Sequence, residues 1–353
     1  MNKNASKSSS LISVQTVVFA AIFWGVVSLL VFLLGSPITP RPQWYGVITY
    51  FLENVAMLAA AILCFRNWRS PQIVSGRIVW LLFGLGISSY FVGNILLGWW
   101  ELVWGLTPDV SPADLFFLLN YLLLGIGMLM AVVSKRLNLT FLQWLIVAGI
   151  AVIGTLLAYF ISYAGGEEST ATAATPPVSG VHTPVVALVS VPPQRALPLA
   201  TTPPTAPGGA PTSPEALPSA PPVPSEASPD STAASSKAPQ WVVALDKSLV
   251  PLAAIVSLLY VVGDIFLLVM ATMLLLAFWG GRFSQSWRFI AAAAFSFYIA
   301  DIWFAYAIEQ IENYETGALP EVFWIFSGVL FSIGAAMEYS LSTRSRRGAR
   351  RRS

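Results

Sequence analysis

Apolar positions fall in long unbroken runs separated by short polar segments, without the one-sided stripe that a helix lying on a soluble core would show. Eight of these runs reach the roughly 20 residues that carry a helix across a hydrocarbon core about 30 Å thick. They are Leu11 to Leu34, Trp44 to Phe65, Ile78 to Trp100, Ala113 to Val133, Leu139 to Tyr163, Leu249 to Phe278, Phe289 to Ile308 and Glu321 to Leu341. Helices are predicted for all of them, because a helix satisfies its own backbone polar groups in lipid. The first run is too long for a signal peptide and lacks a small-residue cleavage pattern, so it is expected to be retained.

One segment breaks the pattern. Between Gly165 and Ser248 the chain turns to Pro, Ala, Ser and Thr, and 17 of the 25 prolines lie there. So little apolar surface cannot offset the cost of ordering the chain, and a disordered linker is expected. The bland role is a tolerated connection between two bundles. A sharper one is contact with an envelope partner, where Val185 to Val189 would add a short strand. His182, the sole histidine, stands alone in this tract and is expected to be solvated rather than a metal ligand.

The polar interruptions inside the apolar runs recur. Tyr50 and Asn54 lie 210 positions before Tyr260 and Asp264; Tyr90 and Asn94 lie 207 before Phe297 and Asp301; Pro112 lies 208 before Pro320. Without the linker, two tandem four-helix repeats of similar length remain, and the expected fold is an all-α integral membrane protein of eight helices built from them. The boundaries follow: a cytoplasmic N-terminus at 1–10, a membrane segment at 11–164 whose fifth helix opens the second repeat, the linker at 165–248, three further helices at 249–341 and a basic tail at 342–353.

Composition agrees: 56% of residues are hydrophobic, 10% are charged, and mean hydropathy is +0.70. The net charge of +2 matters less than its placement. Lys3, Lys7, Arg66, Arg69, Arg77, Lys135, Arg136, Arg282 and Arg288 flank one set of helix ends, and Arg344, Arg346, Arg347, Arg350, Arg351 and Arg352 follow the last helix. The opposite ends carry Glu101, Asp109, Glu309, Glu312 and Glu315, with Arg41 the exception. By the positive-inside rule both termini are cytoplasmic and the linker is outside, in a multi-pass membrane protein. Trp44, Tyr45, Trp99, Trp100, Trp104 and Trp241 are expected in an outer aromatic belt, with Trp68, Trp279 and Trp287 in an inner one. The arginine tail reads as a stop-transfer signal and as a patch for anionic lipid or an acidic partner. A single cysteine, Cys64, excludes an internal disulfide and any cysteine metal cage.

Candidate chemistry lies in the acids inside the membrane, where ionisable groups are costly and face a bundle interior. Glu53, Asp264 and Asp301 sit at similar depth. Spacings of three and four residues put Tyr50, Glu53 and Asn54 on one helix face, and Tyr260 with Asp264 on another, so a tyrosine one turn away is the expected partner of each acid. With Asn94 these residues form either neutral pins between helices or a polar cavity for a cation, proton or small ligand. Asp114 and Glu321 follow Pro112 and Pro320 and read as helix caps. An aspartyl intramembrane protease is not expected: Val261-Val262-Gly263-Asp264 lacks that family's earlier glycine, and its Pro-Ala-Leu element is missing after the seventh helix. Phosphate-cradling glycine loops and Ser/His pairs are missing too, so no enzyme activity, cofactor or nucleic-acid partner is expected.

Ser111-Pro112-Ala113-Asp114-Leu115-Phe116, then Asn120-Tyr121-Leu122-Leu123 and Gly125, resemble the multi-helix membrane region ahead of bacterial diguanylate cyclase domains. Tyr260 to Asp264, and Asp301 followed by Tyr306, are similar to its second-half elements, and the resemblance covers Gly76 to Val133 and Pro251 to Glu338. It implies a sensory input region in a bacterial inner membrane. Leu122 and Val261 stand where that family has proline, and no cyclase segment follows within the 353 residues. The expected function is a non-enzymatic sensory or signalling membrane module acting through a cytoplasmic or membrane partner. The alternatives are a secondary transporter or channel subunit using the intramembrane acids, and a membrane assembly or scaffold factor.

Overall fold

The computed structural model describes residues 13–134, 140–164, 238–278, 284–311 and 314–350. The proline-rich tract from 165 to 237, with His182, lies outside them, as do Lys3, Lys7, Lys135, Arg136, Trp279, Arg282, Glu312, Arg351 and Arg352. So do the side chains of Arg344, Arg346, Arg347 and Arg350. The elements are α1 (Val14–Gly35), α2 (Gln43–Arg69), α3 (Arg77–Leu102), α4 (Pro112–Val133), α5 (Phe141–Ala164), α6 (Gln240–Leu249), α7 (Ala253–Ala277), α8 (Ser284–Gln310) and α9 (Val322–Arg350). Single 3₁₀ turns at Val250–Leu252 and Leu319–Glu321 precede α7 and α9. Among the described residues there is no strand, and eight segments are long and apolar enough to cross a membrane.

Two boundaries differ from the sequence expectation. Residues 240–248 belong to helix α6, not to the linker, so the sixth span begins at Gln240. Tertiary contacts hold this short helix: Trp241 meets Trp104 with ring centroids 5.9 Å apart, Val242 is fully buried, and Trp100 donates its indole hydrogen to Asp246 at 3.0 Å. Pro251, which has no N–H for an i−4 bond, turns the chain into the 3₁₀ step before α7. At the other end α9 continues through Arg350, so the residues read as a tail from 342 extend the last helix. Nothing in its Ser, Thr and Arg run breaks a helix, and Thr343 bonds back to the Tyr339 carbonyl at 2.9 Å.

α2, α3 and α4 pack in sequence, as do α7, α8 and α9. The two sets join where α2 lies on α9 and α4 lies on α7. α1 lies against α9 and α2, and α5 against α7 and α8. Both leave large apolar side chains outward, Phe19, Leu34, Phe141 and Phe160 among them, as a lipid-facing surface requires.

The half of the bundle near the α2–α3 turn is closed by aromatic packing. Trp80, Phe83, Trp287 and Phe331 are each at most 1% exposed, and Phe278 stacks on Trp287 with centroids 4.7 Å apart. Trp287 is therefore a core residue and not part of an inner belt. Tyr45 and Trp100, 1% and 5% exposed, are likewise buried rather than lipid-facing, because each carries a polar hydrogen to a partner inside the protein.

Both capping acids satisfy helix starts. Asp114 accepts from the Ser111 N–H at 2.7 Å, and Glu321 accepts from Gly317 and Ala318 at 2.7 and 3.1 Å. Gly317 has φ +101, a conformation unfavourable for other residues, and its carbonyl takes the Tyr45 hydroxyl at 2.8 Å. That bond ties the start of α2 to the loop before α9.

Candidate functional site

The polar residues that interrupt α2, α3, α4, α7 and α8 converge on one cavity of about 720 Å³. Its deep wall is formed by Glu53, Tyr90, Asn94, Phe117, Tyr121, Asp264, Phe297 and Asp301. Tyr50, Glu101, Asp114, Tyr260 and Trp324 line it closer to the helix ends, and Arg41, Asp109 and Glu315 stand at the ends themselves. Ala158 and Ile161 of α5 and Val256 of α7 add an apolar side. The cavity occupies the half of the bundle away from the α2–α3 turn, because on every helix its lining residues lie on the far side of the aromatic layer of Trp80, Phe83, Trp287 and Phe331.

Six acids of the cavity, Glu53, Glu101, Asp114, Asp264, Asp301 and Glu321, are each engaged by an aromatic hydrogen donor. Tyr90 of α3 donates to Glu53 of α2 at 2.5 Å, and Tyr50 of α2 donates to Glu101 of α3 at 2.8 Å, a reciprocal pair across one interface. Thr316 adds a second bond to Glu101 at 3.1 Å. Tyr260 of α7 donates to Asp114 of α4 at 2.6 Å. The Tyr121 hydroxyl of α4 lies 2.7 Å from Asp264 of α7 and 2.6 Å from Asp301 of α8, and Trp324 of α9 donates to the other oxygen of Asp301 at 2.7 Å. Tyr314, in the loop before α9, donates to Glu321. Burial, followed by the nearby Glu321 carboxylate, raises the Tyr314 hydroxyl well above the usual tyrosine range, so it remains a donor.

The sequence expectation that each acid pairs with the tyrosine one turn away on its own helix is corrected here. Tyr50 bonds Glu101 and not Glu53; Tyr260 bonds Asp114 and not Asp264. A same-helix pair holds its side chains roughly parallel, whereas a neighbouring helix brings the phenol end-on to the carboxyl. Asn54 does not line the cavity: its amide donates to the Tyr50 carbonyl one turn back, at 2.8 Å. Tyr50, Glu53, Asn94, Tyr260, Asp264 and Asp301 do line it. Tyr90, Glu101, Asp114, Tyr121 and Trp324 complete the site and were not expected there. Of these, Tyr121 had a readable signal, a lone tyrosine beside Asn120 inside an otherwise apolar helix.

Small residues explain how Tyr121 reaches two helices. A Cβ on Gly263 would lie 2.8 Å from the Tyr121 ring, and one on Gly125 would lie 2.3 Å from the Phe266 ring. Each helix of the α4–α7 pair thus receives an aromatic ring of the other on bare backbone, and Tyr121 is set down between Asp264 and Asp301. Its ring also packs edge-on against Tyr260 and Phe297, with centroids 5.7 Å away in both cases.

Asn94 is 4% exposed, and its amide nitrogen is directed at the Glu53 carboxyl. The Tyr298 hydroxyl is buried without a partner on the cavity wall. That hydroxyl is a donor left for something that enters. Among the described residues no three His, Cys, Asp or Glu side chains are grouped to hold a metal ion. Compared with family models, characterised proteins and solved structures, the chain matches none.

Proposed function

We propose that this is a ligand-binding sensory module of the membrane, which takes an amphipathic organic cation into the cavity and passes the change to a partner. The observation that carries the reading is a cavity with a floor. Six carboxyl groups and a wall of aromatic rings lie on one side of the fully buried Trp80, Phe83, Trp287 and Phe331, none of which lines the cavity. A pocket closed in this way suits a receptor. A transporter of the repeat type would favour helices interrupted at matching mid-depth positions. Gly93 and Gly263 stand inside unbroken helices, and the break at Val250–Leu252 has no counterpart in α2.

The ligand class follows from the lining. Glu53, Glu101, Asp114, Asp264, Asp301 and Glu321 line the wall with Arg41, its one basic residue among the described residues, which favours a positive group. Tyrosine, phenylalanine and tryptophan faces add cation–π attraction and apolar area. The unpartnered Tyr298 hydroxyl calls for an acceptor on the ligand as well.

The repeat architecture belongs to the same proposal. α1 to α4 would correspond to α5, α7, α8 and α9; the α2–α9 and α4–α7 contacts are then equivalent, as are α2–α3 and α7–α8, and α3–α4 and α8–α9. The charge pattern would put the cavity mouth outside and both termini in the cytoplasm, with any partner meeting the arginine-rich end of α9. The resemblance of α4 and α7 to membrane input regions supports a signalling role.

The test uses the full chain in detergent with octylamine, octanol and octanoate as probes. Octylamine is expected to raise the melting temperature in a concentration-dependent way, and the neutral and anionic probes are not. Glu53→Gln and Asp264→Asn should weaken that response. An equal or larger response to octanoate would overturn the ligand class, and uptake of labelled octylamine into proteoliposomes would overturn the receptor reading in favour of transport.

A further inference from the structure

The contact between Tyr121 and the two aspartates contains one hydrogen more than ordinary ionisation would supply. The phenol oxygen is 2.7 Å from an Asp264 oxygen and 2.6 Å from an Asp301 oxygen, both true hydrogen-bond distances. A tyrosine hydroxyl carries one hydrogen and can donate it once, while a carboxylate donates none. Were both aspartates ionised, one of the two contacts would press two oxygen lone pairs together with a negative charge on one side. Three oxygens joined by two such contacts need two hydrogens: the phenol's own, and one held by a carboxyl.

We propose that Asp264, Tyr121 and Asp301 form a one-proton site, in which the two carboxyls share a single acid proton through the tyrosine hydroxyl. When Asp264 holds the proton it donates to the Tyr121 oxygen, which donates to Asp301; when Asp301 holds it, both bonds reverse. Passing between these arrangements moves one hydrogen along each bond and leaves the total unchanged. The pair then carries a single negative charge.

The groups that face it leave that charge uncompensated. They are Glu53 of α2, Tyr90 of α3, Tyr260 of α7 and Tyr298 of α8, with the Trp324 indole of α9 donating to Asp301 and Asp114 of α4 reached through Tyr260. None of these is a cation. Asp264 and Asp301 also interact directly, so two charges on the pair would repel at close range in a dry site. Because the site joins α4, α7 and α8, losing its proton would break one of the two bonds and free Tyr121 to follow a single aspartate. The site is thus a proton-controlled latch at the cavity wall, and it stands whether or not the ligand of that cavity is a cation.

The experiment is infrared spectroscopy of the full chain, with aspartate labelled by ¹³C. Near neutral pH the wild type is expected to show one protonated-carboxyl C=O band that shifts with the label. Asp264→Asn and Asp301→Asn should each remove that same band, because the asparagine amide supplies the missing donor and the remaining aspartate becomes an acceptor from both neighbours. Absence of a label-sensitive band in the wild type, or its survival in either variant, would overturn the proposal. Should an Asn variant fail to fold, Tyr121→Phe provides the second reading: removing the bridging hydroxyl must move the band, and an unmoved band refutes the shared site.

Discussion

Tyr260 donates its hydroxyl hydrogen to Asp114 at 2.6 Å, joining α7 to the first turn of α4, although the acid one turn along its own helix is Asp264. Asp114 is thus used twice, since its other oxygen accepts from the Ser111 N–H at 2.7 Å and caps α4. The cap and the interhelical bond share one carboxyl, so the entry of α4 into the bundle is fixed by α7.

Removing that phenol should therefore cost stability as well as geometry. Tyr260→Phe leaves an Asp114 oxygen without its donor, and a loss of about 1 kcal/mol is expected for this part-buried hydrogen bond. Thermal unfolding in detergent measures it. Tyr306→Phe serves as the control, since Tyr306 is 42% exposed and its loss should change little.

The contrast between Tyr260 and Asp264 marks the limit of what the sequence discloses. Run lengths were enough to find eight spans, because crossing a bilayer sets a length that the chain must meet. They were not enough to find α6, whose residues include Asp246, Lys247 and Ser248 and which is held by Trp100 and Trp104 from α3 and the turn after it. The acids were legible as well, because a carboxyl in an apolar run is unusual. Their partners were not, because partner choice depends on how each helix is rotated about its axis, and that is decided by contacts such as Tyr121 on Gly263 and Phe266 on Gly125.

The Gly263 contact is testable against a helical glycine that touches nothing, with opposite signs expected. Gly263→Ala puts a Cβ 2.8 Å from the Tyr121 ring and should cost about 1–3 kcal/mol through overpacking, together with displacement of Tyr121 from its aspartates. Gly149→Ala, on α5, meets nothing within 4 Å and should stabilise by up to about 1 kcal/mol through helix propensity alone. Melting temperatures of the two variants in one detergent decide this, and destabilisation of both by the same amount would contradict the packing argument.

Orientation is open to direct labelling because Cys64 is fully buried and gives little background. Asp109→Cys lies in the exposed loop between α3 and α4, and Gln72→Cys in the exposed turn between α2 and α3. An impermeant maleimide applied to intact cells should reach the first and not the second. A cysteine at Ser213, in the proline-rich tract, should label with Asp109→Cys if the charge pattern has been read correctly.

The floor of the cavity separates a receptor from a conduit, and thiol chemistry in the membrane can locate it. Ala305 lines the cavity on α8, whereas Ala294, three turns earlier on the same helix, is 1% exposed within the aromatic half of the core. Ala305→Cys should react with a small methanethiosulfonate reagent added from the side of the cavity mouth. It should do so faster with a trimethylammonium reagent than with a sulfonate one, because the carboxyl-lined wall concentrates cations. Ala294→Cys should stay unmodified from either side, since Trp287, Ile290 and Ala291 of its own helix are buried in the same layer. A faster reaction with the sulfonate would contradict the acidic character of the wall. Ready modification of Ala294→Cys would mean that the cavity continues past the aromatic layer, and the chain would then have to be read as a route through the membrane rather than as a pocket in it.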